Sequence, residues 1–246
     1  GITDYKTGAD MATLLLPLGS GRELHLLAVP RRKASTRSVH WDNSSVAGKA
    51  HFVTPNLEID AMAAHHYQAL VTGLGLAGTA GSAAWRMDLT WTEPEDDQGY
   101  ASAVLNLDRS WFWAGKNCYG FLEFFYSGLG EDDPEEALAN PELLRRLERG
   151  ELFTLSQAYL AGSLEVELHP LLRGNLTLIS NLRDASGLVQ PILRWDAAAN
   201  VELIAGTSLY YGGQGTEYGG FEVQSPLAPV NLAPADSAFA WLTVYF

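Results

Sequence analysis

Charged side chains recur at alternate positions along much of this chain. Glu58 and Asp60, Arg86 and Asp88, Glu165 and Glu167, and Arg194 and Asp196 are each two residues apart. On extended backbone, residues i and i+2 project from the same face. Asp108, Glu123, Arg183 and Glu202 fall on the same parity within their own segments, as do Glu23, His25, Lys49, His51 and Asn106. A hydrated wall carrying charges of both signs can select ions. The same residues can instead pair with one another, stiffen the wall and conduct nothing.

Motifs for covalent or cofactor chemistry are weak. Gly73, Gly75 and Gly78 fit G-x-G-x-x-G by letter. A dinucleotide loop needs a helix after it, but 83–92 alternates with period two, so Gly73 and Gly75 are expected only to leave room on the charged face. His65 and His66 are adjacent, point to opposite faces of a strand and cannot share one metal in regular geometry. Cys118 is the single cysteine, which excludes an intrachain disulfide framework. Neither G-x-S-x-G nor H-E-x-x-H occurs. The expectation is a protein that is not an enzyme, with no catalytic residue, no metal site and no cofactor.

The elements that would position these charges are strands. Alternation and turn residues predict strands over about 10–18, 23–31, 45–53, 57–67, 69–77, 83–92, 100–112, 117–127, 156–169, 175–183, 188–196, 201–211 and 237–246. In 156–169, Leu160, Leu164, Val166 and Leu168 share one face, opposite Glu165 and Glu167. In 175–183, Leu176 and Leu178 oppose Asn175, Thr177 and Arg183. One helical insertion is expected at 133–150: Asp133 suits a cap, Pro134 the first helical position, and Asn140-Pro141 restarts the pattern.

Composition narrows the class. The chain has 246 residues, 47% of them hydrophobic, and a net charge of −13. Pro30-Arg31-Arg32-Lys33 is the longest basic run, so a nucleic-acid partner is not expected. No stretch approaches the ~18–20 apolar residues of a membrane-spanning helix. A membrane strand needs only every second residue apolar, and the predicted strands approach the ~9–11 residues that cross a bilayer with tilt. Seven Trp, ten Tyr and nine Phe could supply two interfacial girdles. An aromatic-rich soluble sandwich of the lectin kind is the competing architecture.

The last strand alternates up to a terminal aromatic, with Leu242, Val244 and Phe246 on one parity. Girdled hairpins, short turns on one side and that Phe246 together resemble the Gram-negative outer-membrane β-barrels of the porin and channel superfamily. The resemblance covers about 10–246 and departs at Val244, where an aromatic is usual. It implies an all-β, antiparallel, transmembrane up-and-down barrel forming one domain over 1–246, with about 13–14 strands and the 133–150 helical insertion in an extracellular loop. It implies that the charged face lines a lumen and that Leu164, Leu176, Leu178, Leu242, Val244 and Phe246 face the membrane. It further implies residence in the outer membrane, contact with its lipid and lipopolysaccharide, and recognition of Phe246 by the barrel-assembly machinery. The function implied is a channel or porin-like transporter for small polar solutes or ions. The alternative is a non-conducting barrel that scaffolds or threads a partner protein.

Parity adds an expectation about closure. Turns near 19–21, 54–56, 78–81, 114–116, 170–174 and 197–200 are short, whereas 32–43, 93–99, 128–155 and 212–235 are long. In such barrels short turns lie in the periplasm. About thirteen strands then give first and last strands running the same way, and direct pairing would be parallel. Either a fourteenth strand exists, at 1–7 or 218–223, or a preceding N-terminal segment or a partner chain closes the wall.

Overall fold

In the computed structural model, residues 10–33, 36, 38–223 and 229–246 are described. Fifteen strands form among them: β1 (Ala12–Gly19), β2 (Arg22–Val29), β3 (Ser45–Val53), β4 (Leu57–His66), β5 (Ala69–Ala80), β6 (Ala83–Pro94), β7 (Tyr100–Trp113), β8 (Lys116–Ser127), β9 (Ala158–His169), β10 (Leu172–Asn181), β11 (Gly187–Ala198), β12 (Val201–Tyr211), β13 (Phe221–Val223), β14 (Val230–Leu232) and β15 (Ser237–Val244). Thirteen of them make one antiparallel sheet in chain order, β1 to β12 followed by β15. The sheet has two ends. Among the described residues β1 pairs with β2 alone and β15 with β12 alone, so the sheet is not closed.

The turns explain the meander. Ser20 and Gly21 have φ of 53° and 71°, and Ala114 and Gly115 have 49° and 78°. Positive φ at both central residues makes a hairpin turn whose twist matches that of its strands. At Gly21 a Cβ would lie 3.0 Å from the Val53 carbonyl oxygen, so glycine also permits that contact. The long connections all fall at one end of the strands, as expected, although 67–68 and 182–186 at that same end are short.

Three local expectations are corrected. The segment 218–223 supplies no fourteenth strand to the sheet: β13 pairs with β14 in a separate two-stranded sheet. The other suggested strand, 1–7, lies outside the described residues. Strand β10 starts at Leu172 and ends at Asn181, because only Pro170 and Leu171 separate it from β9. Arg183 therefore sits in the turn beyond β10 and is not a strand residue.

Contacts divide the chain into two compact units, one of residues 1–78 and 86–102, the other of 79–85 and 103–246. In the first unit, register sets Glu23 opposite His51, His25 opposite Lys49, His51 opposite Asp60, and Asp60 opposite Gly75. In the second, Tyr119 faces Glu165, Glu165 faces Asn175, and Asp196 faces Glu202. Each unit thus has a charged face.

The opposite face of the second unit carries Leu164, Leu176, Leu178, Leu193 and Leu242. It stays open: Leu176 is 48% exposed, Leu193 50% and Leu242 62%. A soluble sandwich would cover such a face with a second sheet, and the described residues hold no second sheet beyond the β13–β14 hairpin.

The apolar core of this unit lies among its loops. Two helices, α1 (Pro134–Ala139) and α2 (Pro141–Glu148), fill the loop between β8 and β9. The Asp133 side chain accepts from the Glu135 amide, and that of Asn140 accepts from the Glu142 and Leu143 amides. Leu129, Ala137, Leu143, Tyr159 and Phe221 are buried, and α1 packs against β13. The long loops build a cap with its own small core.

Candidate functional site

On the charged face of the first unit, Asp60 Oδ1 lies 2.9 Å from His51 Nδ1 and 3.2 Å from Lys49 Nζ. A Cβ added to Gly75 would come 2.8 Å from Asp88 Oδ1 and 3.3 Å from Asp60 Cβ. Gly75 therefore makes room on this face for two carboxylates, as its spacing suggested. Glu58 shares the parity of Asp60 on β4, and Arg86 that of Asp88 on β6.

The second unit continues the pattern. Asn106 Nδ2 donates to Glu123 Oε2 at 3.3 Å, and Asn117 Nδ2 to Glu167 Oε2 at 2.6 Å. Asn175 Nδ2 donates to Ser163 Oγ at 2.8 Å, and Gln190 Nε2 to Ser208 Oγ at 2.9 Å. Arg194 Nε is 3.5 Å from Glu202 Oε1. Asp108 follows Asn106 by two residues and takes its face. Cross-strand pairs of this kind stabilise the sheet and leave a polar face.

Arg183 belongs to another constellation. Its Nε and Nη2 each donate to an Asp132 oxygen, both at 2.6 Å, joining the turn after β10 to the loop after β8. Beside it is a half-buried carboxylate hub. Glu217, in the loop after β12, accepts hydrogen bonds from the Tyr159 hydroxyl, from Asn181 Nδ2 at 2.9 Å and from the Leu155 amide at 3.2 Å. The Glu217 amide donates to Asp184 Oδ2 at 2.7 Å, and the Tyr218 amide to Ser186 Oγ at 3.2 Å. Two long loops and the short turn between β10 and β11 therefore meet at one residue.

Burial, with the nearby Asp184 charge, pushes the Glu217 carboxyl above the usual carboxylate range, against the lowering effect of its three donors. The neighbouring Tyr218 hydroxyl is pushed up to about 12, chiefly by burial and then by Glu217. Sequence reading missed this hub. Asn181 reads as one more polar residue of a strand and Asp184, Ser186 and Glu217 as connection residues, and no periodicity links positions so far apart.

The cap helix also differs from its sequence pattern. The spacing of Leu143, Leu144 and Leu147 makes one short apolar stripe, yet Leu144 is exposed, while Glu142 and Arg146 are buried beside Leu143. Arg146 Nε donates to Glu142 at 2.8 Å and its Nη1 to Glu151 at 2.9 Å. Mutual neutralisation is what lets these charges leave water.

His65 and His66 meet different partners. His65 stacks on Trp41 with ring centroids 4.6 Å apart, while His66 Nδ1 lies 2.8 Å from Ser45 Oγ. Cys118 is buried within β8. Among the described residues, no group of three or more His, Cys, Asp or Glu is arranged to hold a metal ion. Leu164, Leu176, Leu178, Leu242 and Val244 share the face opposite the charges, and Phe246 lies beyond the end of β15. Comparison with protein-family models, with curated proteins and with solved structures returned no match.

Proposed function

We propose that this chain is wall material of a Gram-negative outer-membrane β-barrel acting as a channel or porin-like transporter for small polar solutes or ions. One observation carries the reading. A thirteen-stranded antiparallel sheet leaves a row of leucines uncovered on one face and a network of charged and amide groups on the other. Large uncovered apolar faces are characteristic of membrane or partner contact. In this reading Glu58, Asp60, Arg86, Asp88, Asp108, Glu123, Glu165, Glu167, Arg194, Asp196 and Glu202 line the lumen. Arg183 instead ties down a loop at one mouth. Leu164, Leu176, Leu178, Leu242, Val244 and Phe246 meet lipid, with lipopolysaccharide around the loop end and the assembly machinery reading Phe246.

The unpaired edges favour a supplementary element. A strand edge open to lipid costs several kcal/mol per unsatisfied group. Leu14, Leu15, Leu16 and Leu18 of β1 are exposed on both faces of that edge strand. A further segment or partner chain contributing an odd number of strands would close the wall antiparallel. The same observation favours the second reading, a non-conducting barrel that scaffolds a partner.

Planar-bilayer recording in a salt gradient tests the proposal. Acidic residues exceed basic ones among the lumen candidates, so cation preference is expected. Anion preference, or no conductance from heat-modifiable folded protein, overturns the channel reading.

A further inference from the structure

The geometry points to a subsite for a zwitterionic amino acid on the charged face of the second unit, near the turn between β9 and β10. It rests on the reading that this face meets water. A cavity of about 580 Å³ opens there, lined on this face by Ser110, Asn117, Tyr119, Glu165, Glu167 and Arg173. The volume is within the range of small-molecule sites.

Three features define what it takes. Arg173 lies directly across the ladder from Glu167, where a pair could form. Instead Arg173 Nη2 points toward Asp196, at 4.0 Å, the outer limit of an ion pair. The Glu167 carboxylate is engaged by Asn117 Nδ2 at 2.6 Å. The guanidinium fork is thus left with donors in planar array, which suits a ligand carboxylate.

Glu165 supplies the opposite pole. It faces Asn175 across one ladder and Tyr119 across the other, while Asn175 spends its amide donor on Ser163. A carboxylate so placed suits a ligand ammonium group. Arg173 and Glu165 are diagonal neighbours across β9 and β10, a Cα separation of ~7–8 Å. Their flexible side chains can reach both ends of one amino acid. The half-exposed Tyr119 ring opposite Glu165 gives an apolar side chain a surface to cover. A simple anion would meet two carboxylates and a simple cation would meet Arg173. A molecule bearing both charges satisfies both.

The test is equilibrium binding to the full chain, folded in detergent micelles and checked by heat-modifiable migration. L-leucine is compared by titration calorimetry with 3-methylbutylamine, which lacks its carboxylate, and with 4-methylpentanoate, which lacks its amine. Leucine should bind about tenfold or more tightly than either. Arg173→Gln should reduce leucine to the level of the amine and leave the amine unchanged. Glu165→Gln should weaken leucine and the amine together and spare the acid. Equal affinity for the three compounds, no binding of any, or leucine affinity indifferent to Arg173→Gln would overturn the subsite. Conductance without leucine discrimination refutes the subsite and keeps the channel. Discrimination without conductance does the reverse.

Discussion

Tyr159, at the start of β9, gives its hydroxyl hydrogen to Glu217, 58 positions later in the chain. The same oxygen accepts the Ser156 amide at 2.7 Å. One phenol thus anchors the end of the helical loop to the Gly-rich loop after β12.

Tyr159→Phe should free both loops. It removes a donor to a half-buried carboxylate and an acceptor for a buried amide, a loss of about 1–3 kcal/mol of local stability. Amide exchange at Leu155, Ser156 and Glu217 should quicken, while the central residues of β9 and β10 keep their protection. Unchanged exchange at those three amides would show that the hub does not hold the loops.

The hub should loosen as pH rises. Folding raises the Glu217 carboxyl above its ordinary value. Its stabilising contribution is therefore fully present below the unfolded value, near 4.5, and is lost as pH climbs through the raised folded value. Protection factors at the Leu155 amide, corrected for intrinsic exchange, should fall across that window. Glu217→Gln should remove the trend. A rise in protection with pH would reverse the sign of the argument.

The two faces of β10 should respond differently to charge. Leu178→Arg, on the leucine face, should cost about 2–4 kcal/mol in a bilayer near its midplane. Thr177→Arg, beside Ser163 and Asn175, should be far milder. Denaturant titration in lipid vesicles measures both. Equal costs would reject the assignment of faces.

Gly130 should tolerate no side chain. A Cβ there would lie 2.3 Å from the Ser156 carbonyl oxygen, which is backbone and cannot swing away. Gly130→Ala should cost about 1–3 kcal/mol through overpacking and raise protease sensitivity in the helical loop. Gly213→Ala, with nothing within 4 Å, should be neutral. A difference near zero between the two variants would mean that the loop repacks around the methyl.

Much of the sheet was legible in the amino-acid order alone. Period-two alternation is local, so the strands, the shared face of Asp60 and Glu58, and the leucine face of Leu176 and Leu178 all follow from neighbours two residues apart. Turn residues such as Ser20-Gly21 and caps such as Asp133 and Asn140 act within a few positions and were equally visible. What no short window contains, only the tertiary structure decided. Glu217 finds Tyr159 and Asn181 because three loops converge, and Arg183 finds Asp132 for the same reason. Leu144 turns to solvent while Glu142 and Arg146 go inward, because Glu151 returns to complete their charge balance. Within the segment 218–223, Phe221–Val223 pairs with β14 and stays out of the main sheet, because partners close in sequence meet at small entropic cost. Periodicity reports which face a residue takes. Which distant partner meets it there depends on how the loops are closed in space.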